Sequence, residues 1–232
     1  DDRIQWLMRL LTKHSTEKIL LICRSKAKVT AVESALRNRA NLKIGIFHED
    51  LTLIQRDRYA AWFAEEDGAT LLICSEIGSE GRNFQFCRHL VFFDLPLNPE
   101  LIEQRIGRLD RIGQKNNIQI HVPFSKSSDR EVLANWLHRG LNAFEECILG
   151  GETLLNEFED QLLQCFRVTS SNLSQLIEDT DESRKRLSAK LQEGTDRLLE
   201  INSHSNAISN ELIHEIQNTE DSTGLEEFAL RL

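Results

Sequence analysis

Residues Thr70 to Gln85 read TLLICSEIGSEGRNFQ, and this stretch carries the clearest indication of the fold class. Its first five residues form a short apolar run, which is typical of a strand that is buried on both faces of a parallel sheet. The run leads directly into a polar loop that contains Gly78 and Gly81. Ligands of α/β proteins bind at such loops, outside the carboxyl ends of the strands. We therefore predict an α/β fold with a ligand site after this strand.

Similar runs recur through the first 125 residues. Four more segments are rich in β-branched, aliphatic or aromatic residues: Lys18 to Cys23, Lys43 to Phe47, His89 to Phe93 and Ile118 to Phe124. Helical periodicity lies between them, over Lys26 to Arg39 and Leu51 to Glu65, and Asn98-Pro99 predicts a helix start that continues to about residue 108. Strands that alternate with helices predict βαβ units and a mostly parallel sheet.

The strand pattern stops after Phe124, and the rest of the chain is predicted to be helical. We expect helices over Asp129 to Leu149, Leu154 to Phe166 and Ile208 to Ile216, with a break at Thr169 to Ser171. A short heptad-like seam joins Leu187, Leu191, Gly194, Leu198 and Ile201. We therefore divide the chain into an α/β domain with a closing helix, residues 1–150, and a helical extension, residues 151–232.

Composition and charge place the chain among ordinary globular proteins. It has 232 residues, 40% of them hydrophobic, and a net charge of −9. Residues 1–125 carry 18 basic and 16 acidic residues, whereas residues 126–232 carry 10 and 21. The acidic half would repel a polyanion, so we expect it either to pack on protein or to form a solvated acidic surface. We find no membrane span or signal peptide and expect a cytoplasmic protein with no membrane partner.

The cysteines and histidines predict no metal site. The five cysteines are odd in number and never spaced as CxxC, so we expect reduced thiols rather than disulfides or a zinc cluster. His48-Glu49 lacks the second histidine of an HExxH motif. A metalloprotease is therefore excluded, and His48 is interpreted as a loop residue.

The densest group of functional residue types is Gln104 to Gln114, QRIGRLDRIGQ. Arg105, Arg108 and Arg111 are three residues apart, so a helix would present them on one face. Guanidinium groups beside a sheet suit phosphoryl transfer, because they neutralise charge that develops on the transferred oxygens. The alternative is a solvated basic face that neighbouring carboxylates hold in place.

The loop after the Thr70 strand offers matching chemistry. Gly78 and Gly81 permit a close approach of the backbone to a ligand, and Ser75, Ser79 and Asn83 offer hydrogen bonds to phosphate or ribose. Polar glycine loops are common, so this loop supports a phosphate-binding site only in combination with the arginines.

These segments resemble a known family. Helicase motif VI of SWI/SNF-type ATPases, with the segment that leads into it, resembles FFDLPLNPELIEQRIGRLDRIGQ (Phe92 to Gln114). Motif V of the same ATPases resembles Cys74 to Gln85. FHEDLTLIQRDRYAAWFAEED (Phe47 to Asp67) and GTDRLLEINS (Gly194 to Ser203) resemble the RapA family of bacterial RNA-polymerase-associated ATPases. The resemblance covers essentially the whole chain.

This resemblance implies that residues 1–150 form a RecA-like second helicase lobe. Gln104, Arg108 and Arg111 would reach ATP on the first lobe, with the two arginines as arginine fingers. Motif V would lie near the nucleotide or couple it to the nucleic-acid track, and its site residues are Gly78, Glu80, Gly81 and Arg82.

The resemblance also implies nucleic-acid contacts. Ser25 and Lys26 follow the first strand, where this kind of lobe contacts a nucleic-acid backbone, and Ser75 is grouped with them because its hydroxyl could bond a phosphate. Whether the track is DNA or RNA stays open.

One half of an ATPase is missing from the sequence. No GxxxxGK[ST] phosphate loop and no DEAD-like carboxylate pair occurs, so we expect an N-terminal lobe of the same protein to bind most of the ATP and Mg²⁺. The chain alone should be inactive, and its parent should translocate on nucleic acid and remodel or recycle RNA polymerase. Two alternatives remain: a non-catalytic module that binds nucleic acid or protein, and a different SWI/SNF-type remodeller.

Overall fold

The computed structural model describes residues 2–76, 83–111, 114, 117–167 and 172–193. Five strands form the centre of the fold: β1 (Ile19–Cys23), β2 (Ile44–Phe47), β3 (Leu71–Ser75), β4 (His89–Phe92) and β5 (Gln119–His121). Four helices accompany them: α1 (Asp2–Lys13), α2 (Lys26–Arg37), α3 (Leu53–Ala64) and α4 (Pro99–Ile106). The order of elements confirms the predicted α/β alternation.

The five strands form one parallel sheet in the order β2-β3-β1-β4-β5. In the register of the central strand, Ile19 pairs with Leu71 on one side and with His89 on the other. Every residue of β1, β3 and β4 is buried. Burial on both faces explains why these strands read as uninterrupted apolar runs.

One face of the sheet packs against α1 and α2. Leu7, Val29 and Leu36 are fully buried there against strand residues such as Leu21 and Ile73. Full burial of one such side chain is worth about 1.5–3 kcal/mol. Hydrophobic burial on this scale makes the sheet a firm base for the loops at its edges.

The region after β5 differs from the predicted single helix over Asp129 to Leu149. A helix α5 (Asp129–Asn135) passes into a π-helical turn (Trp136–Gly140), in which the Leu141 amide donates to the Trp136 carbonyl at 3.0 Å. Asn142 then adopts a φ of 53°, in the left-handed region. A left-handed residue cannot continue a right-handed helix, so the prediction is wrong beyond the π turn.

Helix α6 (Gly151–Arg167) packs against α4 and α5. Residues 173–193 are helical and are called α7 here. The Trp136 indole N–H donates to the Thr180 hydroxyl on α7 at 3.0 Å, and that hydroxyl donates to the Leu176 carbonyl at 2.7 Å. This buried chain of two hydrogen bonds joins α7 to the π turn.

The chain divides into two compact units, residues 1–184 and residues 185–232. Of the predicted seam, only Leu187 and Leu191 lie within the described residues, both on α7. The predicted break at Thr169 to Ser171 and the predicted helix over Ile208 to Ile216 lie outside them. Among the helices that the structure describes, none has the length and apolar character needed to cross a membrane.

Candidate functional site at the carboxyl edge of the sheet

Polar residues follow each of the first four strands at one edge of the sheet. Ser25 and Lys26 follow β1, and Glu49 follows β2. Glu76 follows β3, and Asp94 lies just after β4. Since β3, β1 and β4 are neighbours in a parallel sheet, these positions share its carboxyl edge, where α/β proteins bind their ligands.

Arg105 of α4 is buried at this edge. Its side chain is 1% exposed and makes two hydrogen bonds to the Glu76 carboxylate, the one from Nε measuring 3.1 Å. Its Nη1 donates to the Asp94 carbonyl at 2.6 Å. Arg105 therefore ties α4 to the ends of β3 and β4 and acts as a structural residue. Glu76, its partner, was not singled out from the sequence.

The three arginines of Gln104 to Gln114 do not share one helical face. Helix α4 ends at Ile106, with Gly107 as its C-cap, so only Arg105 is helical. Arg108 is 6% exposed. Burial raises the pKa of the Cys74 thiol, and the nearby charge of Arg108 partly opposes this effect. Arg111 is exposed, and its Nε donates to the Gly107 carbonyl at 3.2 Å. Among the three, Arg111 has the most accessible guanidinium.

Arg111 lines an open cavity of about 870 Å³. The cavity is bounded on one side by Gly107, Asp110 and Gln114, and on another by the 143–147 segment. Gln114 fixes the end of the motif, because its Nε2 donates to the Gln85 carbonyl at 2.9 Å. Gln104 is exposed on α4 and is not among the residues that line the cavity. The structure thus brings Arg111 and Gln114 to one cavity and leaves Gln104 and Arg108 outside its lining.

Asp94 organises charges behind α4. Its Oδ2 accepts from the Arg24 amide at 3.2 Å, and its Oδ1 lies 3.8 Å from Arg3 Nη1 and 3.7 Å from Arg130 Nη2. Burial lowers the pKa of Arg3, and the neighbouring Arg130 lowers it further, while Asp94 opposes both effects. Asp94 therefore connects α1, the residue after β1 and α5 to the segment that precedes α4.

The predicted nucleic-acid contacts fall into two environments. Ser25 is exposed and is the N-cap of α2, but its side chain makes no capping hydrogen bond. The Lys26 ammonium, 44% exposed, pairs with Asp50. Ser75 is 1% exposed and donates to the Glu49 carboxylate at 2.6 Å, which lowers the pKa of Glu49. Ser25 and Lys26 therefore present polar groups to solvent, whereas the Ser75 hydroxyl is already used within the protein.

Two family models match adjacent parts of the chain. The helicase conserved C-terminal domain matches residues 2–113. The RNA polymerase recycling family C-terminal model matches residues 117–232, half of the chain. The chain belongs to the RapA family.

Solved structures confirm the RecA-like helicase fold of this RapA-family chain. The C-terminal part of the Fun30 ATPase domain is 18% identical with a TM-score of 0.50, and the match covers 70% of this chain and 52% of that one. The C-terminal domain of S. cerevisiae Dbp5, solved with Gle1 and IP6, is 17% identical with a TM-score of 0.50, covering 72% and 92%. The RapA-family chain thus spans about half of the Fun30 chain. At these identities the likeness concerns the fold alone.

The motif V residues of the RapA-family chain stay predictions. Gly78, Glu80, Gly81 and Arg82 lie outside the described residues. The flanking segments are fixed on both sides, by Glu76 at the end of β3 and by Phe84, whose amide donates to the Arg108 carbonyl at 2.8 Å. A direct backbone hydrogen bond therefore connects the segment after β3 to the segment that contains Arg108.

Proposed function

We propose that this RapA-family chain supplies the arginine half of a helicase-type ATPase. The observation that supports this function is the exposed guanidinium of Arg111 beside an 870 Å³ cavity, on a segment that buried residues hold in place. ATP and Mg²⁺ would be held mainly by an N-terminal lobe of the longer protein.

The role of the arginines follows from the chemistry of phosphoryl transfer. Negative charge spreads over the transferred oxygens, and a guanidinium that meets this charge lowers the barrier. Arg111 is the proposed finger at this cavity. Arg108, which is buried, and Gln104 on α4 both lie outside the cavity lining and are proposed as further contacts to the nucleotide. Arg105 positions these residues through Glu76 and Asp94 without touching the nucleotide.

Movement on nucleic acid is the proposed use of the hydrolysis. Ser25 and Lys26 at the carboxyl edge would contact a nucleic-acid backbone, and the hydrogen bond between Phe84 and Arg108 would couple motif V to the arginines. Remodelling or recycling of RNA polymerase is proposed from the description of the matched family. The acidic residues 126–232 favour a protein surface over a polyanion as their neighbour.

Kinetics of the longer protein that contains both lobes test the ATPase role. Arg111→Ala should lower kcat by about 10³ and leave ATP binding mostly intact, because a finger acts on transition-state charge. Arg108→Ala should have a similar effect, provided that its thermal unfolding matches the parent. Arg9→Ala, an exposed arginine on α1, is the control and should hydrolyse ATP normally.

The 232-residue chain alone should show no hydrolysis above a buffer blank, because it lacks a phosphate loop. Normal kcat in the Arg111→Ala protein would remove this residue from the proposed role. Magnesium-dependent hydrolysis by the chain alone would contradict the division of the site between two lobes.

A further inference from the structure

A cluster of histidines and one glutamate lies at the amino-terminal edge of the sheet. His14 follows the last residue of α1, and Glu17 lies in the next turn before β1. His89 is the first residue of β4 and is fully buried. The His14 Nδ1 lies 2.8 Å from Glu17 Oε1, and the His89 Nε2 lies 2.8 Å from Glu17 Oε2.

The geometry of this cluster fits a small divalent ion. One ligand atom from each of His14, Glu17 and His89 lies within 4.8 Å of the other two. Bond lengths of about 2.0–2.2 Å in a tetrahedral zinc site place ligand atoms roughly 3.3 Å apart. The two measured separations, 2.8 Å from each histidine nitrogen to a different Glu17 oxygen, are shorter than that value, so the side chains would move apart to admit an ion.

The surroundings supply the partners that hold metal ligands in place. His89 uses Nε2 toward Glu17, and its other nitrogen, Nδ1, lies 3.1 Å from His121 Nε2 at the end of β5. The Arg88 guanidinium donates to the Glu17 carboxylate. A metal-bound imidazole usually bonds a partner through its second nitrogen, and a metal-bound carboxylate is usually hydrogen-bonded as well. His89 meets the first requirement, and Glu17 meets the second.

From this arrangement we propose that His14, Glu17 and His89 form a zinc site, with water at the fourth position. Two nitrogen ligands and one carboxylate are a ligand set that zinc accepts. The ion would join the turn before β1 to the start of β4 and act as a structural clip. The site is distinct from the Mg²⁺ that the proposed ATPase requires.

Zinc titration of the untagged 232-residue chain tests the proposal. The chain carries Cys147→Ser, which removes its exposed thiol as a competing ligand, and is stripped with a chelator before ZnCl₂ is added. Metal analysis after dialysis should find one zinc per chain. With Co²⁺ in place of zinc, the visible spectrum should indicate nitrogen and oxygen ligands without thiolate.

Variants separate the site from surface binding. His14→Gln and Glu17→Gln should each weaken zinc binding more than 100-fold. His121→Gln should weaken it by about 10- to 100-fold, because it removes only a supporting hydrogen bond. His138→Gln, an exposed histidine elsewhere, is the matched control and should bind zinc as the parent does. Far-ultraviolet circular dichroism checks that each variant is folded.

Ring-nitrogen NMR of the parent chain gives a readout that needs no variant. Zinc should shift the signals of His14, His89 and His121 and leave those of His138 and His48 unchanged. Retention of zinc by His14→Gln and Glu17→Gln at the level of His138→Gln would overturn the proposal. Zinc shifts that miss His14 and His89 would overturn it as well.

Discussion

The guanidinium of Arg105 is held at three acceptor atoms, two on the Glu76 carboxylate and one on the Asp94 carbonyl. It also lies over the Phe92 ring, 5.4 Å from the centroid. Removal of one partner of a buried ion pair is costly, because the other charge stays without compensation. Arg105 thus contributes to the site by fixing the position of α4.

Arg105→Ala should lower the free energy of unfolding by about 3 kcal/mol, because Glu76 and the Asp94 carbonyl lose their donor. Urea denaturation followed by tryptophan fluorescence measures the change. Arg39→Ala is the control: Arg39 lies just after α2, is exposed, and its side chain donates to the Ala35 carbonyl of that helix, so a change below about 0.5 kcal/mol is expected. Equal effects of the two substitutions would contradict the structural role of Arg105.

Thiol reactivity gives a second prediction for single residues. Cys147 is exposed, whereas Cys23, Cys74, Cys87 and Cys165 are buried. Burial raises the pKa of Cys87 to about 12 and keeps such thiols protonated and inert. Ellman's reagent should therefore titrate one thiol in the folded chain and all five in guanidinium chloride.

Cys147 itself should react slowly near neutral pH, because a hydrogen bond with Glu103 raises the pKa of its thiol. Cys147→Ser is the control for the assignment and should leave no thiol that Ellman's reagent titrates in the folded chain. A second reactive thiol in the folded parent would show that one of the buried cysteines is accessible.

The three arginines show how much of the candidate site could be predicted from the sequence. Spacing in the sequence identified Arg105, Arg108 and Arg111 as one group, but it could not separate the buried residues from the exposed one. The separation depends on Glu76, which is 29 positions away and meets Arg105 only after folding. The histidine cluster was missed for the same reason, because His14 and His89 come together only through the sheet. Their only local signal is the HxxE spacing of His14 and Glu17.

Helix caps provide a matched pair of predictions at the scale of elements. Helices α2 and α3 have 12 residues each, with Ser25 and Thr52 as their N-caps. Thr52 forms a capping box with Gln55, whereas the Ser25 side chain makes no capping hydrogen bond. Thr52→Ala should therefore cost about 1 kcal/mol of unfolding free energy, and Ser25→Ala should cost much less.

Chemical denaturation of both variants measures the difference directly. A larger loss in Ser25→Ala than in Thr52→Ala would show that the capping interactions differ from those described. Ser25→Ala also isolates the proposed nucleic-acid role of this hydroxyl, because it should change binding with little change in stability.

The π turn after α5 depends on a close contact of Gly140. A Cβ atom at this position would lie 3.3 Å from the Cβ and Cγ2 of Thr180 on α7. Gly140→Ala should therefore destabilise the chain by about 1 kcal/mol, since overpacking outweighs the gain in helix propensity. Combination with Thr180→Ser, which keeps the hydroxyl but removes Cγ2, should recover part of the loss in a double-mutant cycle. Additive effects of the two substitutions would contradict the contact.

Strands were easier to predict than the helix after Asp129. Each buried strand is a local apolar run, and the observed bounds lie within a few residues of the predicted ones. The end of α5 has no equally clear local signal, because apolar residues continue at helical spacing through Trp136, Leu137, Leu141 and Phe144. The hydrogen bond of Trp136 to Thr180 and the left-handed backbone of Asn142 interrupt the helix there, and the first of these is a long-range interaction.

Nucleic-acid binding is a property of the whole charge distribution. With a net charge of −9 and Lys26 already paired with Asp50, the chain should bind oligonucleotides weakly and lose binding as salt rises. Fluorescence anisotropy over a salt series measures this. Lys26→Ala should weaken binding and reduce the salt slope by about 1, whereas Lys13→Ala, at the end of α1, should change neither. Tight oligonucleotide binding that persists in high salt would contradict this expectation of weak electrostatic binding.

The strand order has a consequence for biosynthesis. Of the five described strands, β1 is synthesised first, yet both of its neighbours, β3 and β4, are encoded far downstream, and its pairing with β3 begins at Leu71. Synthesis adds about 5–20 residues per second, so roughly 2 to 10 s pass between the synthesis of Cys23 and that of Leu71, the first residue of the partner strand. During this interval the five consecutive apolar residues of β1 have no partner strand of their own sheet. During synthesis, chaperones that bind exposed apolar segments could therefore bind β1. Slower translation between Arg24 and Thr70 would lengthen this period.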